Sequence, residues 1–330
     1  MRCAVVGGGA WGTALANVLA TNGHPVSLWA REPDVVTSIN ETRENVRFLG
    51  GVGIHDLVTA TRDMRAAVRD AEIVTYAAPS HALREVAGNA ASSVQSDGIL
   101  VVASKGIERE SLAIMSDVID QAVPGHAVVA LSGPTFAMEV ARGQPTAVVA
   151  ASTSADAATR VQRVLSSDAF RVYTHDDVVG VELGGALKNV MAVATGIADG
   201  LGLGFNSRAA LITRGLAEMT RLGVALGANP ATFAGLAGLG DLVLTCTGAL
   251  SRNRSLGIEI GQGRTLEEAL AGKDTVAEGV LNTVSARALA EREGVNMPIV
   301  WAVHRVLFEA QPPRLAIAEL MRRELRAEQD

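Results

Sequence analysis

The chain has 330 residues, a net charge of −6 at pH 7 and 48% hydrophobic residues, of which only 3% of the chain is aromatic. That length accommodates two domains at roughly 100–200 residues each, and a core of Ala, Val and Leu favours close-packed helices and parallel strands over an aromatic-rich all-β fold. No basic run makes a nucleic-acid footprint, and two cysteines, Cys3 and Cys246, supply neither a disulfide framework nor a metal spacing, which fits a reducing cytosol.

Two stretches resemble membrane signals and are read otherwise. After Arg2 an uncharged run leads to Ala14-Leu15-Ala16, but Gly7-Gly8-Gly9 and Gly12 break its apolar centre. Leu222–Gly240 is uncharged, yet five glycines and Asn229-Pro230 divide it into helix, turn and loop. No membrane insertion is expected.

In chain order, Arg2–Val6 predicts a strand and Thr13–Asn22 a helix closed by Gly23. Gly7-Gly8-Gly9-Ala10-Trp11-Gly12 between them is G-x-G-x-x-G in the strand–turn–helix setting of a dinucleotide fingerprint. Gly7 allows the tight turn, Gly9 lets the backbone approach a pyrophosphate, and Gly12 permits close helix–strand packing. The helix N-terminus offers free N–H groups to that anion. The second strand, Val26–Trp29, runs into Ala30-Arg31-Glu32; Arg31 suits the 2′-phosphate of NADP, while Glu32 leaves NAD open.

Ile73–Ala78, Ile99–Ala103 and Ala127–Leu131 read as further parallel strands, with Thr146–Ala150 and Phe170–Tyr173 as edge strands around the helix Ser154–Ser166. Their following loops contain Pro79-Ser80-His81, Ser104-Lys105-Gly106-Ile107-Glu108 and Ser132-Gly133-Pro134-Thr135-Phe136-Ala137. Ligands of open α/β sheets lie outside the carboxyl ends of the strands; His81 reads as a loop or helix-start residue. The expected fold is α/β, a Rossmann-like domain over residues 1–177 followed by an all-helical domain over 178–330. Helical patterns there cover Val181–Ala198, Ser207–Leu226, Arg252–Gly261, Leu281–Glu293 and Pro298–Glu309. Between them Gly235–Leu242 reads as a Gly-rich loop carrying Asp241. Ser251-Arg252-Asn253-Arg254 opens a helix whose N-terminus suits an anion, and Ser251 is its natural N-cap.

Lysine usage points to the chemistry. Only Lys105, Lys188 and Lys273 are lysines among 29 basic residues. Lys273 reads as a solvated loop residue. Arg cannot surrender its proton in a protein, whereas a desolvated Lys can. Lys188 follows Gly184-Gly185-Ala186 in an apolar helix at the junction of the two halves, where burial would lower its pKa. Lys105 is the second retained lysine, at the binding edge of the sheet. A dinucleotide half joined through a lysine to a helical half suggests hydride transfer to or from a secondary alcohol. The lysine would take or give the hydroxyl proton. Asn189 and Asp241 are candidate orienters, and Arg252 with Ser251–Asn253 would hold a substrate phosphate.

These segments resemble the bacterial NAD(P)-dependent glycerol-3-phosphate dehydrogenases. The resemblance runs through Gly7–Ala16, Ser104–Glu108, Ser132–Ala137, Gly184–Asn189, Leu211–Met219, Gly238–Thr247 and Ser251–Arg254, in the family's order over almost the whole chain. It implies interconversion of sn-glycerol 3-phosphate and dihydroxyacetone phosphate, a phospholipid precursor step, with Lys188 as proton acceptor. It further implies that Lys105, Gly133, Thr135, Lys188, Asp241, Ser251, Arg252 and Asn253 surround the substrate. Ala10, Trp11, Arg31, Lys105, Ala137, Arg252, Val276 and Glu278, beside Gly7, Gly9 and Gly12, are implied to line the dinucleotide. The chain departs from the family at Phe48-Leu49-Gly50-Gly51, where F/Y-L-P-G is usual, in the following Val52-Gly53-Ile54-His55, and in Thr75-Tyr76-Ala77-Ala78. Gly8 replaces a commoner Ala, a change that a glycine backbone accepts.

The expected cofactor is NADP or NAD, with NADP favoured; no metal is expected. The partners are a small phosphate substrate and, as an open possibility, a second copy in a homodimer. The expected location is cytoplasmic. A related β-hydroxyacid dehydrogenase, which shares the two halves and the junction lysine, and a non-catalytic dinucleotide sensor are the alternatives.

Overall fold

The computed structural model describes residues 1–272, 277–325 and 327–328. Its first half is built on an eight-stranded sheet in the order Phe170–His175, Thr146–Ala151, Ala127–Ser132, Ile99–Val102, Ile73–Tyr76, Cys3–Val6, Val26–Trp29, Val58–Thr61. All neighbours run parallel except Ala127–Ser132 and Thr146–Ala151, which are antiparallel. The segment between those two contains only the short helix Ala137–Ala141, too little for the crossover that a parallel return needs. The three central strands Cys3–Val6, Ile73–Tyr76 and Ile99–Val102 are buried at every residue, as expected for strands covered on both faces. Val58–Thr61 was not among the expected strands. It is a four-residue edge strand with two half-buried or exposed threonines, too short and too polar to stand out.

Register places the site. Val6 pairs with Trp29 on one side and Tyr76 on the other, and Tyr76 with Val102. The carboxyl ends of these strands are therefore level, and the loops beginning at Gly7, Ala30, Ala77 and Ala103 share one edge. The chain leaves Cys3–Val6 in one direction for Val26–Trp29 and returns on the other side at Ile73–Tyr76. That reversal is the crevice where open α/β sheets take their ligands.

The second half is wrapped around the helix Val178–Gly200, buried without interruption from Gly180 to Ala198. Its length and composition match a membrane span, but 89% of its apolar window is covered by the protein itself. Helices Phe205–Ala225, Asp241–Thr247, Arg252–Gly261, Glu278–Arg292 and Pro298–Phe308 surround it. Close approach is achieved with glycine. A Cβ on Gly196 would collide with the Arg254 carbonyl oxygen, and one on Gly257 with that of Val193. Gly200 and Gly261 lie with the Cα of one 3.0 Å from the ideal Cβ position of the other. With glycines four residues apart on both helices, the backbones touch where side chains would otherwise intervene.

One expectation needs correction. Gly235–Leu242 is not an open loop: Leu236–Gly240 forms a π-helical turn that runs directly into the α-helix Asp241–Thr247. Its glycines serve packing. A Cβ on Gly184 would stand 2.5 Å from the Ala237 carbonyl oxygen, and one on Gly238 would strike the Phe233 backbone. The altered 48–55 segment forms a helical turn, Val46–Leu49, capped by Asn45, and a strand, Gly50–Gly53, paired with Glu44–Asn45.

Gly196→Ala is expected to lower stability by about 1–3 kcal/mol, the usual cost of overpacking. Gly88→Ala, in the helix Leu83–Ala90 with open space around its ideal Cβ, should be neutral or stabilise by about 0.4–1 kcal/mol. Urea denaturation of both variants checks the contrast.

Candidate active site

The glycine turn has the shape its residues predict. Gly7 holds φ at +131°, and a Cβ there would lie 2.8 Å from the Ala77 carbonyl. A Cβ on Gly12 would collide with the Gly7 carbonyl oxygen, so these two glycines are required by the chain itself. Gly9 is different: nothing lies within 4 Å of its ideal Cβ. It is the N-cap of helix Ala10–Thr21, with no side-chain cap and no acidic residue in the first turn. An open glycine beside uncapped N–H groups is a cradle for a phosphate, and the buried indole Nε1 of Trp11, without a hydrogen-bond partner among the described residues, lies in the same turn. These residues fit a dinucleotide. Gly8 is less permissive than the sequence implies, because a Cβ there would press into the Ala30 methyl; Gly8 and Ala30 are a matched pair.

Arg31 projects from the end of Val26–Trp29 with its side chain 84% exposed, and its Nε and Nη2 donate to Glu32 Oε1 at 3.0 and 2.9 Å. Ala137 opens the helix Ala137–Ala141 and packs on the sheet-side core. Glu278 opens helix Glu278–Arg292 and accepts the Ser80 backbone N–H at 3.2 Å and its hydroxyl at 2.6 Å. It thereby ties the helical half to the loop after Ile73–Tyr76. Val276 and Lys273 lie outside the described residues.

The two lysines meet at one carboxylate. Asp241, fully buried, accepts Lys105 Nζ on Oδ2 at 2.7 Å and Lys188 Nζ on Oδ1. Lys105 comes from the loop after Ile99–Val102; its ammonium also donates to the Gly133 carbonyl at 2.9 Å and lies 3.5 Å from Thr135 Oγ1. Lys188 comes from the central helix and donates to Thr245 Oγ1 at 2.8 Å, while Thr245 is held by the Asp241 carbonyl at 2.7 Å. Gly184 and Gly185 allow this convergence. A side chain at 185 would stand 2.8 Å from Ser132 Oγ and 3.4 Å from the Lys105 stem. Burial pushes the Lys188 ammonium down to about 8; the like charge of Lys105 adds to that, and Asp241 opposes it. A buried amine near neutrality can exchange a proton at physiological pH.

The expected anion residues divide. Ser251 caps its own helix by accepting Arg254 N–H at 3.2 Å. Asn253 is engaged at both ends: Nδ2 donates to Asn189 Oδ1 and Oδ1 accepts Gly279 N–H, each at 2.9 Å. Asn189 is therefore joined to Asn253 rather than to Lys188. Arg252 is exposed at the helix start and makes no ion pair among the described residues. Its neighbour Arg254 is consumed by Asp199, which it shares with Arg208. One cation thus remains available at that N-terminus.

Sequence reasoning missed Thr245, Ser80 and Asn282. Thr245 stands four residues after Asp241 on one helical face, a spacing hidden by reading the segment as a loop. Ser80 carries no pattern that ties it to Glu278, 198 residues away. Asn282, fully buried, donates to the Ala186 carbonyl at 3.1 Å and presses its Oδ1 towards Gly106; a buried amide in a helical pattern was the available signal.

Comparison with known proteins places this geometry in a family. Residues 2–158 match the model described as NAD-dependent glycerol-3-phosphate dehydrogenase N-terminus, and residues 177–318 match the one described as its C-terminus. The chain is 53% identical over 330 residues to glycerol-3-phosphate dehydrogenase [NAD(P)+] of Geobacter sp. (strain M21), covering 99% of this chain and 98% of the relative. It is 53% identical to the enzyme of the same name from Trichlorobacter lovleyi, over the full length of both. The crystal structure of glycerol-3-phosphate dehydrogenase from Coxiella burnetii superposes with a TM-score of 0.94 at 40% identity, covering 98% of this chain and 99% of that one. With both halves matched and close relatives aligned end to end, the chain belongs to the NAD-dependent glycerol-3-phosphate dehydrogenase family.

Proposed function

We propose that Lys188 is the proton-transfer group through which this dehydrogenase interconverts sn-glycerol 3-phosphate and dihydroxyacetone phosphate. Residues 1–177 would hold NAD(P) and 178–330 the substrate. The observation that carries the assignment is a buried ammonium, lowered towards neutrality, sharing one carboxylate with a second lysine at the dinucleotide edge. The nicotinamide, when bound, supplies or takes the hydride. Gly7, Gly9, Ala10, Trp11 and Gly12 form the phosphate cradle, with Arg31, Ala137 and Glu278 along it; Val276, outside the described residues, joins them on the family resemblance alone.

In the oxidation direction, neutral Lys188 accepts the proton of the secondary hydroxyl as the carbon becomes a carbonyl. In reduction the ammonium returns that proton to the carbonyl oxygen and stabilises the charge that develops there. Asp241 orients the Lys188 amine and keeps Lys105 beside it. Lys105, held by Gly133 and close to Thr135, supplies a fixed positive charge where substrate and cofactor meet. Arg252, with Ser251 and Asn253 at the helix start, holds the phosphate. Fit of the substrate phosphate to a free guanidinium, with its fixed fork of donors, gives that end its specificity.

Arg31 favours NADP over NAD, since its exposed guanidinium matches a 2′-phosphate. Two free, buried cysteines accord with a cytoplasmic location, and self-association as a homodimer is part of the same proposal. The product of the reducing direction would feed phospholipid synthesis.

The direct test follows absorbance loss of NADPH and NADH with dihydroxyacetone phosphate; absence of turnover with both would sink the proposal. Lys188→Arg should lower kcat by about 10²–10⁴-fold, the usual contribution of general acid–base catalysis, while dinucleotide binding by fluorescence titration survives. Wild-type kcat in that variant would refute the proton-transfer role. Arg252→Ala should raise KM for the phosphate substrate by about tenfold or more, with a smaller effect on kcat. The sign of the pH effect is fixed by the Lys188 midpoint near 8. The oxidation rate should rise with pH through that value because the neutral amine is the base. The reduction rate should fall through it because the ammonium is the acid.

A further inference from the structure

The mechanism leaves a second buried titratable group on the lysine-bearing helix without a role: Glu182, whose carboxyl burial pushes up to about 7. Glu182 is 7% exposed and lies six residues before Lys188 on the same helix, with Gly185 midway between them. Both carboxylate oxygens accept the Ser116 backbone N–H at 3.1 Å, and Oε2 also accepts the Ser116 hydroxyl. Ser116 is the second residue of helix Met115–Ala122, whose own N-cap position, Ile114, makes no side-chain cap. Glu182 therefore caps that helix from the other half of the chain, meeting free N–H groups and the positive end of the helix dipole.

The segment immediately before this helix carries Lys105, and it is stiff. Ile107 and Ile114 form a β-bridge, Arg84 holds Glu108 through two bonds of 2.8 and 2.7 Å, and Ser111 donates to Glu108. Ile107 is buried in the core of the helical half. A shift at Ser116 is transmitted to Lys105 because the loop between them has little freedom to absorb it.

We propose that Glu182 is a positioning residue for the reaction: by capping helix Met115–Ala122 from the helix that carries Lys188, it fixes how far the Lys105 ammonium stands from the Lys188 ammonium across Asp241. The proposal rests on the assignment of Lys188 as the proton-transfer group. The ionisable groups facing Lys188 are Asp241 and Cys246 from helix Asp241–Thr247 and Lys105 from its loop. Helices Arg252–Gly261 and Glu278–Arg292 meet the central helix there with the neutral amides Asn253 and Asn282. The group facing Glu182, beside Ser116, is Asp117. When the cap is lost and Lys105 recedes, Lys188 loses a like charge and keeps Asp241 to itself. Both changes favour its ammonium form, so its midpoint moves up.

The sequence makes this measurable, because three lysines give three signals. Enzyme labelled with ¹³C at lysine Cε is titrated without ligands, Lys188→Arg identifying the resonance. Glu182→Ala should raise the Lys188 midpoint by about half a pH unit or more and lower kcat several-fold, leaving the dinucleotide Kd unchanged. Ser116→Ala and Glu182→Gln, which each keep part of the cap, should shift it less, and adding Ser116→Ala to Glu182→Ala should shift it no further. Folded variants with a lowered Tm but wild-type Lys188 titration and kcat would overturn the proposal and leave Glu182 a structural cap. Should Glu182→Ala not fold, the two milder variants decide by the same criterion. Failure of the parent assignment looks different: Lys188→Arg would remain active, whatever the titration shows.

Discussion

A carboxylate removed from water must be paired, and in this protein that requirement organises the site. Asp241 is fully buried and its carboxylate is satisfied by two ammonium groups, while the Thr245 hydroxyl donates to its backbone carbonyl at 2.7 Å. Removing one partner of a buried pair typically costs about 3–5 kcal/mol, because the other charge is left without compensation. The lysines come from different halves of the chain, so the same pairing that satisfies Asp241 also draws the sheet edge onto the central helix. Two positive charges around one negative charge leave the cluster with a net positive charge. That excess suits an anionic substrate, while burial, with a smaller contribution from the like charge of Lys105, lowers the Lys188 ammonium towards neutrality. Folding and chemistry thus draw on the same interaction.

Distances around that cluster are set by what is missing. Gly184 and Gly185 let the Ala237 turn and the Lys105 stem reach the central helix. Further along, Gly196, Gly200, Gly257 and Gly261 bring helix Arg252–Gly261 into backbone contact with it. That contact fixes where the free guanidinium of Arg252 stands relative to Lys188. Arg254 and Arg208 share Asp199 in a largely buried pairing, which leaves Arg252 at the anion end with no ion pair among the described residues. Across the seam, the Ser80–Glu278 and Ser116–Glu182 contacts tie loops of the sheet edge to helix starts or the central helix. Beside these polar contacts, Ile107 from the sheet-edge loop enters the helical core.

Much of the fold was legible because its signals are local. The strand–Gly turn–helix at the N-terminus, the apolar runs at Ile73 and Ile99 and the long apolar helix around Lys188 each declare themselves within about a dozen residues. The edge strand Val58–Thr61 escaped because its apolar–polar alternation lasts only four residues, too few to stand out from a loop. The segment 235–242 was misread for a physical reason: glycine in sequence signals a loop, whereas here its use is to admit neighbouring backbones to a π turn. Similarly, Gly8 reads as freedom and proves to be a fit against Ala30. The anion residues show the same limit: Ser251 and Asn253 have the right chemistry, but their further bonds to Arg254, Asn189 and Gly279 are set by the fold.

The sequence by itself determined the dinucleotide turn, the two-part architecture, the family resemblance and the two lysines worth suspecting. All of these depend on residue type and on spacing along the chain. Only the tertiary structure decided that Lys105 and Lys188 share Asp241, that Thr245 completes the set, and that Glu182 and Glu278 bridge the halves. Those partners lie between 53 and 198 residues apart. Their meeting depends on strand register and on helix contact distances set by glycine, and neither leaves a local mark in the chain.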